Sequence, residues 1–392
     1  MKGSARVQTD KTLFYLAIVL ITVGVVFSFS LTAYISVQQE VSQFYFLKKQ
    51  TIAAVLAIFM MWLISRMNPE HGFTFLGFAF FGIFLFLMTS MHFLPAQYVT
   101  EVGGAKRWIK LPGISLAPVE FFKVGFVFFL AWSFSRKIQH DAQSLKEEMI
   151  TFLPYVAAFG VVVYLIAIMQ NDLGQVIVLG MTLAIMAFMA GTSARFFMLA
   201  TFSAIIVFVV AIVTSEHRIL RIKLWWSNIQ DFVLSLLPSS LAETLRVKDA
   251  IEPYQISNSL YAIKNGGFLG EGIGNGTIKL GFLTEVHTDF VLAGIAEEIG
   301  IIGLSIVIGL FFWMVFRIFR IANRLENKME SLFVLGVGLI ISFAFFINAF
   351  GITGITPIKG IAVPLLSYGG SSLLAHAMAI GMVLMLSKKV RL

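Results

Sequence analysis

Residues 287–318 read HTDFVLAGIAEEIGIIGLSIVIGLFFWMVFRI, and this stretch decides the fold. From Ile299 to Phe316 it carries no charged side chain, and the whole run exceeds the ~20 apolar residues a helix needs to cross a bilayer. Working outward, similar runs occupy roughly 12–34, 50–66, 73–94, 114–134, 150–169, 174–190, 196–214, 330–350 and 368–387. With 287–318 they make about ten spans. The expected fold is an all-α integral membrane protein, a single polytopic domain over 1–392. One large extracytoplasmic loop, 215–286, separates the seventh and eighth spans.

Composition agrees. The chain has 392 residues, 58% hydrophobic and 13% charged. Soluble cores cannot hide so much apolar surface, because they stop growing and the chain divides into domains. The absence of cysteine excludes disulfides, thiolate metal sites and cysteine nucleophiles. A net charge of +8 would suit nucleic acid, but the basic residues form short clusters between apolar runs, which is the pattern of membrane topology. The first run, after Lys11, is long enough to span and lacks a convincing cleavage site, so it reads as a retained helix. An even number of spans puts both termini on one side. Arg66, Arg136, Lys137, Arg195, Arg317, Arg320, Arg324, Lys388, Lys389 and Arg391 share that side with Lys2 and Arg6, which makes it the cytoplasm. Lys48, Lys49, Lys106, Arg107 and Lys110 fall on the outer side. We read these exceptions as functional.

The residues that could carry chemistry gather on that outer side. Asp289 lies where the long loop enters the eighth span. Position alone favours a helix cap there; the functional alternative is a carboxylate at the membrane edge beside a loop able to cover a substrate. If the helix includes Glu285, the two acids are i,i+4 neighbours, and their repulsion would raise one pKa toward that of a general base. Glu120 and Lys123, i,i+3 within the fourth span, are either a self-neutralising pair or a cavity-facing acid and cation. Lys106-Arg107-Trp108-Ile109-Lys110 would suit a diphosphate, or ordinary lipid phosphate. Ser367-Tyr368-Gly369-Gly370-Ser371-Ser372 opens the last span with small polar residues, for anion binding or for tight packing. Asp172 reads as a cap and His376 as a satisfied histidine. His217, Arg218, Arg221, Lys223, Trp225 and Trp226 suggest a segment in the headgroup layer, and the glycines between 266 and 281 a turn-rich loop. No residues have the spacing of a fixed metal site.

Taken together, Gly104-Ala105-Lys106-Arg107-Trp108-Ile109, Asp172-Leu173-Gly174, Tyr254-Gln255, Lys279, the HTDF and AEEIG segments of 287–300 and SYGGSS at 367–372 resemble the SEDS family of peptidoglycan polymerases. The resemblance covers most of the chain. Gly272-Ile273-Gly274-Asn275 with Lys279, and Pro357-Ile358-Lys359-Gly360, are closer to the cell-division branch than to the elongation branch. The resemblance implies ten spans in a bacterial inner membrane and a septal glycosyltransferase that polymerises lipid II, a disaccharide on undecaprenyl diphosphate, at the outer face. Asp289 matches the catalytic carboxylate. The implied substrate-binding set is Lys106, Arg107, Trp108, Lys110, Glu120, Lys123, Glu285, His287, Thr288, Lys359, Ser367 and Ser371. Catalysis would proceed with or without a divalent cation (magnesium or manganese) and with no organic cofactor. The implied partners are a class B penicillin-binding protein of FtsI type and other division proteins, with no nucleic acid. A lateral-wall polymerase and a lipid II flippase or transporter are the alternatives; a non-catalytic scaffold would leave Asp289, Lys123 and Arg107 without a shared purpose. The chain departs from the family pattern at Ala117-Pro118-Val119-Glu120, Gln170-Asn171-Asp172, Leu283-Thr284-Glu285 and over 228–253.

Overall fold

The computed structural model describes residues 9–102, 104–111, 114–138, 144–214, 216–247 and 254–390. Its helices are α1 (Lys11–Leu31), α2 (Ala33–Gln38), α3 (Tyr45–Arg66), α4 (Pro69–Ser90), α5 (Pro118–Lys137), α6 (Leu145–Val163), α7 (Leu173–Ala190), α8 (Ala194–Val213), α9 (Glu216–Leu234), α10 (Ser239–Leu245), α11 (Tyr254–Gly266), α12 (Val291–Arg324), α13 (Lys328–Ile352) and α14 (Gly370–Ser387). Among the described residues, nine helices are long and apolar enough to cross a membrane; α8 is a further 20-residue helix at the place of the seventh expected span. Side chains set their boundaries. Asn68 caps α4, with Pro69 opening it; Ser144 and Glu147 form a reciprocal capping box on α6; Asn327 accepts from two amides of α13. Each satisfies amides that the helix itself leaves without partners.

The fold is mostly helical, with one addition to the all-α expectation. Between α4 and α5 lies a three-stranded antiparallel sheet, β1 (Val99–Val102), β2 (Ala105–Leu111) and β3 (Ile114–Leu116). The fourth span therefore starts at Pro118 rather than 114, because the ladder holds 114–116 extended and proline suits a helix's first turn. The centre of the bundle is α5, α13 and α14. Their most apolar stretches are 72–78% buried, against 28–50% in the other eligible helices. Large and small side chains mesh there: Gly125 of α5 meets the backbone at Phe80 and Phe81, and Gly77 of α4 lies under the Phe128 ring.

At the end rich in Arg and Lys, buried Asp10 receives two hydrogen bonds from Arg317, 2.9 and 2.7 Å, and its own amide donates to Ser387 Oγ at 3.0 Å. These contacts join the beginning of α1 to α12 and the end of α14. The opposite end carries the sheet, α9 to α11 and the glycine-rich segment; we call it the loop face.

The eighth span departs most from expectation. Its helix begins at Val291, not 287, and breaks at Gly300, whose φ of +68 and ψ of 180 are open to glycine and not to other residues. The break frees backbone groups that would be costly to leave unpaired in an apolar setting. The segment 267–272 takes them up: Glu271 N donates to Glu297 O and Gly272 N to Glu298 O, while Ile301 N and Ile302 N donate to the carbonyls of Gly267 and Phe268. Gly270, at φ +84, is pressed against the Glu298 backbone where a Cβ would collide. The glycines read as a turn-rich loop are thus a fitted splint on a broken helix. Two acids complete it. Glu297 Oε1 accepts from Asn265 Nδ2, Thr277 N, Thr277 Oγ1 and Ile278 N. Glu298 pairs with Lys279 at 2.6 Å, and Ser30 of α1 donates to the same carboxylate oxygen.

Candidate active site

A cavity of about 790 Å³ opens on the loop face between α3, the sheet, the start of α5, the α6–α7 turn, the segment before α12 and the start of α14. Its wall carries Lys49, Arg107, Lys110, Glu120, Asp172 and Asp289 together with the apolar Ile52, Ala53, Leu56 and Leu374. Lys49, Ile52, Ala53 and Leu56 follow i, i+3, i+4, i+7 spacing, one face of α3. Ile52 is 63% exposed, so that wall runs onto the outside of the bundle.

Asp289 sits in a turn, not in a helix. Its amide donates to Glu285 O at 3.1 Å, and α12 is preceded by Phe290, with no side chain capping it. Sequence position favoured a cap; the structure leaves the carboxylate to the cavity. Glu285 is exposed and also outside the helix, so the two acids interact across a turn rather than along a helix face. Burial pushes the Asp289 carboxyl up to about 7, the charges of Glu285 and Asp172 adding to the rise and Arg107 opposing it. Gly360 makes room for it: a Cβ there would lie 3.0 Å from Asp289 Oδ2, and the backbone φ of +61 also favours glycine.

Opposite lies Arg107, on β2. Its Nε donates to Gln170 O at 2.8 Å and one terminal nitrogen to Asn171 O at 2.9 Å, so the guanidinium is held with donors to spare at the cavity wall. The α6–α7 turn that supplies these carbonyls is unusual. The end of α6 widens into a π-helix, Tyr164–Met169, and Asn171 takes φ +50. A proline, fixed near φ −65, could not adopt that conformation. Asp172 caps α7 through Gln175 N at 3.2 Å, and it also lines the cavity, its carboxyl raised mainly by burial. The cap reading was right but incomplete.

Glu120 also lines the cavity and pairs with Lys123 at 2.9 Å; Gln175 bridges them, its Oε1 accepting from Lys123 at 2.7 Å and its Nε2 donating to Glu120 at 3.0 Å. The lysine is buried and self-neutralised by this pair, so of the two readings it takes the bland one, while Glu120 remains at the wall. His376 is hydrogen-bonded to Ser372 O at 2.7 Å.

The structure thus brings Arg107, Trp108, Lys110, Glu120, Thr288, Asp289 and Ser371 to one cavity. Lys106, Lys123, Glu285, His287, Lys359 and Ser367 are not on its wall. Lys106 donates to the carbonyls of His92 and Leu94, 3.1 and 3.0 Å, which ties β2 to the exit of α4. His287 is buried against the rings of Phe46 and Tyr368, with burial lowering its pKa. Lys359 is half-buried, and its neighbour Gly360 is the residue that reaches the cavity. Ser367 Oγ donates to Thr288 O at 2.6 Å and accepts from Val363 N, so it is a staple. Ser371, although on the wall, accepts from Ala117 N and donates to Ser115 O, joining α14 to β3 and α5. Glu285 acts at a distance, through charge and through a hydrogen bond from Thr288 Oγ1 at 2.9 Å.

Sequence reading passed over Gln50 and Gln175, which hold neighbouring elements; it counted Lys49 among the outer-side cations and Gly360 within a family motif, without placing either on the wall. Gln50 Oε1 accepts from Gly369 N at 3.2 Å. The available signal was an amide or cation inside or beside an apolar run. The 217–226 segment was expected to lie in the headgroup layer. It forms part of α9, anchored by Trp225 Nε1 to Gly354 O at 2.9 Å, and its described side chains do not border the cavity; the side chains of His217, Arg218 and Arg221 lie outside the described residues, as do residues 248–253 of the divergent stretch 228–253.

Comparison with known proteins gives consistent results. A sequence profile of the cell cycle proteins FtsW, RodA and SpoVE matches residues 10–392. A protein of Helicobacter pylori named probable peptidoglycan glycosyltransferase FtsW is 50% identical over 382 residues, 97% of this chain and 98% of the relative. One of the same name from Trichlorobacter lovleyi is 32% identical over 385 residues, 98% and 94% of the two chains. Among solved structures, a chain from a study of how a peptidoglycan synthase complex coordinates polymerization and crosslinking superposes with a TM-score of 0.71 at 22% identity, covering 97% of this chain and 98% of that one. The rod shape determining protein RodA of Thermus thermophilus gives 0.63 at 21%, covering 97% of each. These two likenesses establish the fold.

Proposed function

The chain belongs to the FtsW/RodA/SpoVE family of cell cycle proteins, and on that premise we propose that it is a multi-pass peptidoglycan glycosyltransferase of FtsW type that polymerises lipid II at the outer face of the bacterial cytoplasmic membrane, at the division septum. The observation that carries the reading is the half-buried carboxyl of Asp289, raised to about 7 in a cavity that joins charged groups to an apolar wall. A general base works best with a pKa near the operating pH.

In the proposed reaction, Asp289 takes the proton from the 4-hydroxyl of the acceptor's N-acetylglucosamine. That oxygen attacks the anomeric carbon of the terminal N-acetylmuramic acid of the growing chain, with inversion. The bond from that carbon to undecaprenyl diphosphate breaks, and the electron pair leaves with the diphosphate. Arg107 and Lys110 face the charge that develops there. The apolar stripe Ile52, Ala53 and Leu56, with Lys49 at its head, supports a polyprenyl chain descending along α3.

A magnesium or manganese ion is compatible with these acids only in part. Among the described residues no three metal-ligating side chains come together, so a single carboxylate, that of Asp172, would share the ion with the lipid's own phosphates, as magnesium commonly does. Bound there, it would neutralise diphosphate charge. A crosslinking partner, a class B penicillin-binding protein of FtsI type, is proposed from family membership, together with other division proteins.

The test is polymerisation of lipid II by the purified chain, alone and with its transpeptidase partner. Asp289→Ala should abolish glycan formation while lipid II still binds. Glycan formed by that variant at the normal rate would sink the assignment.

A further inference from the structure

The three carbonyls that lead through Asp289 are each held by a different donor. Tyr368 N donates to His287 O at 2.9 Å, Ser367 Oγ to Thr288 O at 2.6 Å, and Asn348 Nδ2 to Asp289 O at 2.6 Å. The last is unlike the others. Asn348 lies near the end of α13, is 5% exposed, and the same Nδ2 also donates to Ile361 O at 2.6 Å. One amide group therefore ties the residue carrying the carboxylate to the segment that follows Gly360. Gly360 is where the carboxylate finds its clearance, 3.0 Å from the place a Cβ would take. The spacing between carboxylate and floor is set by two hydrogen bonds from one side chain, planted in a helix that is among the most buried of the bundle.

We infer that Asn348 is the positioning residue for Asp289: it fixes the carboxylate over Gly360 so that it meets the acceptor hydroxyl, without touching substrate. The inference rests on the glycosyltransferase reading above. Its chemistry is specific to an amide. Both contacts require a donor, and the geometry requires two protons diverging from one nitrogen, which –NH₂ supplies and a hydroxyl supplies only by half. Loss of the amide would leave two buried carbonyls without partners and free the Asp289 turn at its catalytic end, although His287 and Thr288 stay pinned. A base displaced by about an ångström can cost on the order of a hundredfold in rate, so the loss should fall on turnover and spare lipid binding.

The readout that separates positioning from plain stability is the split between kcat and KM, together with the pH profile. The groups that act on the Asp289 carboxyl are Glu285, Asp172 and Arg107. None is bonded to Asn348, so their charges persist in its variants, and any change in the acid limb reports movement of the carboxylate. The experiment uses the full chain in proteoliposomes, with its transpeptidase partner where activity requires it, and lipid II as substrate. We expect Asn348→Ala to lower kcat about 10- to 100-fold, to leave KM within about twofold, and to move the acid limb to lower pH as the carboxylate gains water. Asn348→Ser, which restores one donor, should recover part of kcat. If the alanine variant is lost from the membrane, the serine variant carries the test by the same split. Wild-type kcat in both variants, or a loss wholly in KM with an unmoved acid limb, overturns the positioning role. A wild-type chain that makes no glycan, alone or with its partner, fails the glycosyltransferase reading instead and takes the inference with it.

Discussion

Replacing Asp289 with asparagine should stabilise the folded protein at alkaline pH while silencing it. Burial lifts the carboxyl from 3.8 to about 7. A folded pKa above the unfolded one means that the native state holds this proton more tightly. The stability this contributes is full below 3.8 and is lost as pH rises through about 7. At about 1.36 kcal/mol per unit, the wild type forfeits less than about 1 kcal/mol at pH 4, about 3 at pH 6 and about 4 at pH 8. Asparagine has no proton to lose and forfeits none of it. Thermal unfolding of wild type and Asp289→Asn in one detergent, from pH 4 to 8, isolates the difference, since every other titrating group is shared. The gap in Tm should widen with pH in favour of the variant, by several degrees in all. A gap constant within about 0.5 kcal/mol across that range would refute the claim that a buried carboxylate is held there at a cost.

Three further perturbations address the surroundings of that carboxyl. Gly360→Ala should destabilise by about 1–2 kcal/mol, because the backbone sits at φ +61, and should cut polymerisation more than tenfold as the methyl meets Asp289 Oδ2; chemical denaturation and a gel assay of glycan check the two halves. Arg107→Gln should cost about a hundredfold in rate and move the acid limb of the pH–rate profile upward, since Arg107 opposes the rise at Asp289; Arg107→Lys should rescue little, because a single ammonium lacks the fork that meets two carbonyls. Lys279→Met should destabilise by about 3–5 kcal/mol by stranding buried Glu298, and Lys279→Met with Glu298→Leu should recover much of that in the same unfolding assay.

The bundle was legible because bilayer crossing imposes one simple rule, a long apolar run, on every span. What that rule does not govern was read less well. The start of the eighth helix was placed at 287, since an acid such as Asp289 just ahead of an apolar run reads as a helix beginning; the turn there exists because α13 and the segment before α14 pin its carbonyls, and those contacts are distant in sequence. Gly300 reads as one small residue among several, and only the partner segment 267–272 turns it into a break. Of the cations before α5, Arg107 and Lys110 line the cavity while Lys106 secures α4, a division decided by which carbonyls lie within reach. Asn348 had a visible signal, an amide in the otherwise apolar ISFAFFINAFGI, but its target could not be known without the fold.

The central claim, that Asp289 is the base for glycan polymerisation, is tested most directly by the initial rate of lipid II polymerisation as a function of pH, measured for wild type and Asp289→Asn side by side. The wild-type rate should rise about tenfold per pH unit below neutrality and level off above about 7, where the carboxyl has given up its proton, with the variant inactive throughout. A wild-type rate that is flat from pH 5.5 to 8, or a variant that polymerises at the wild-type rate, would contradict it.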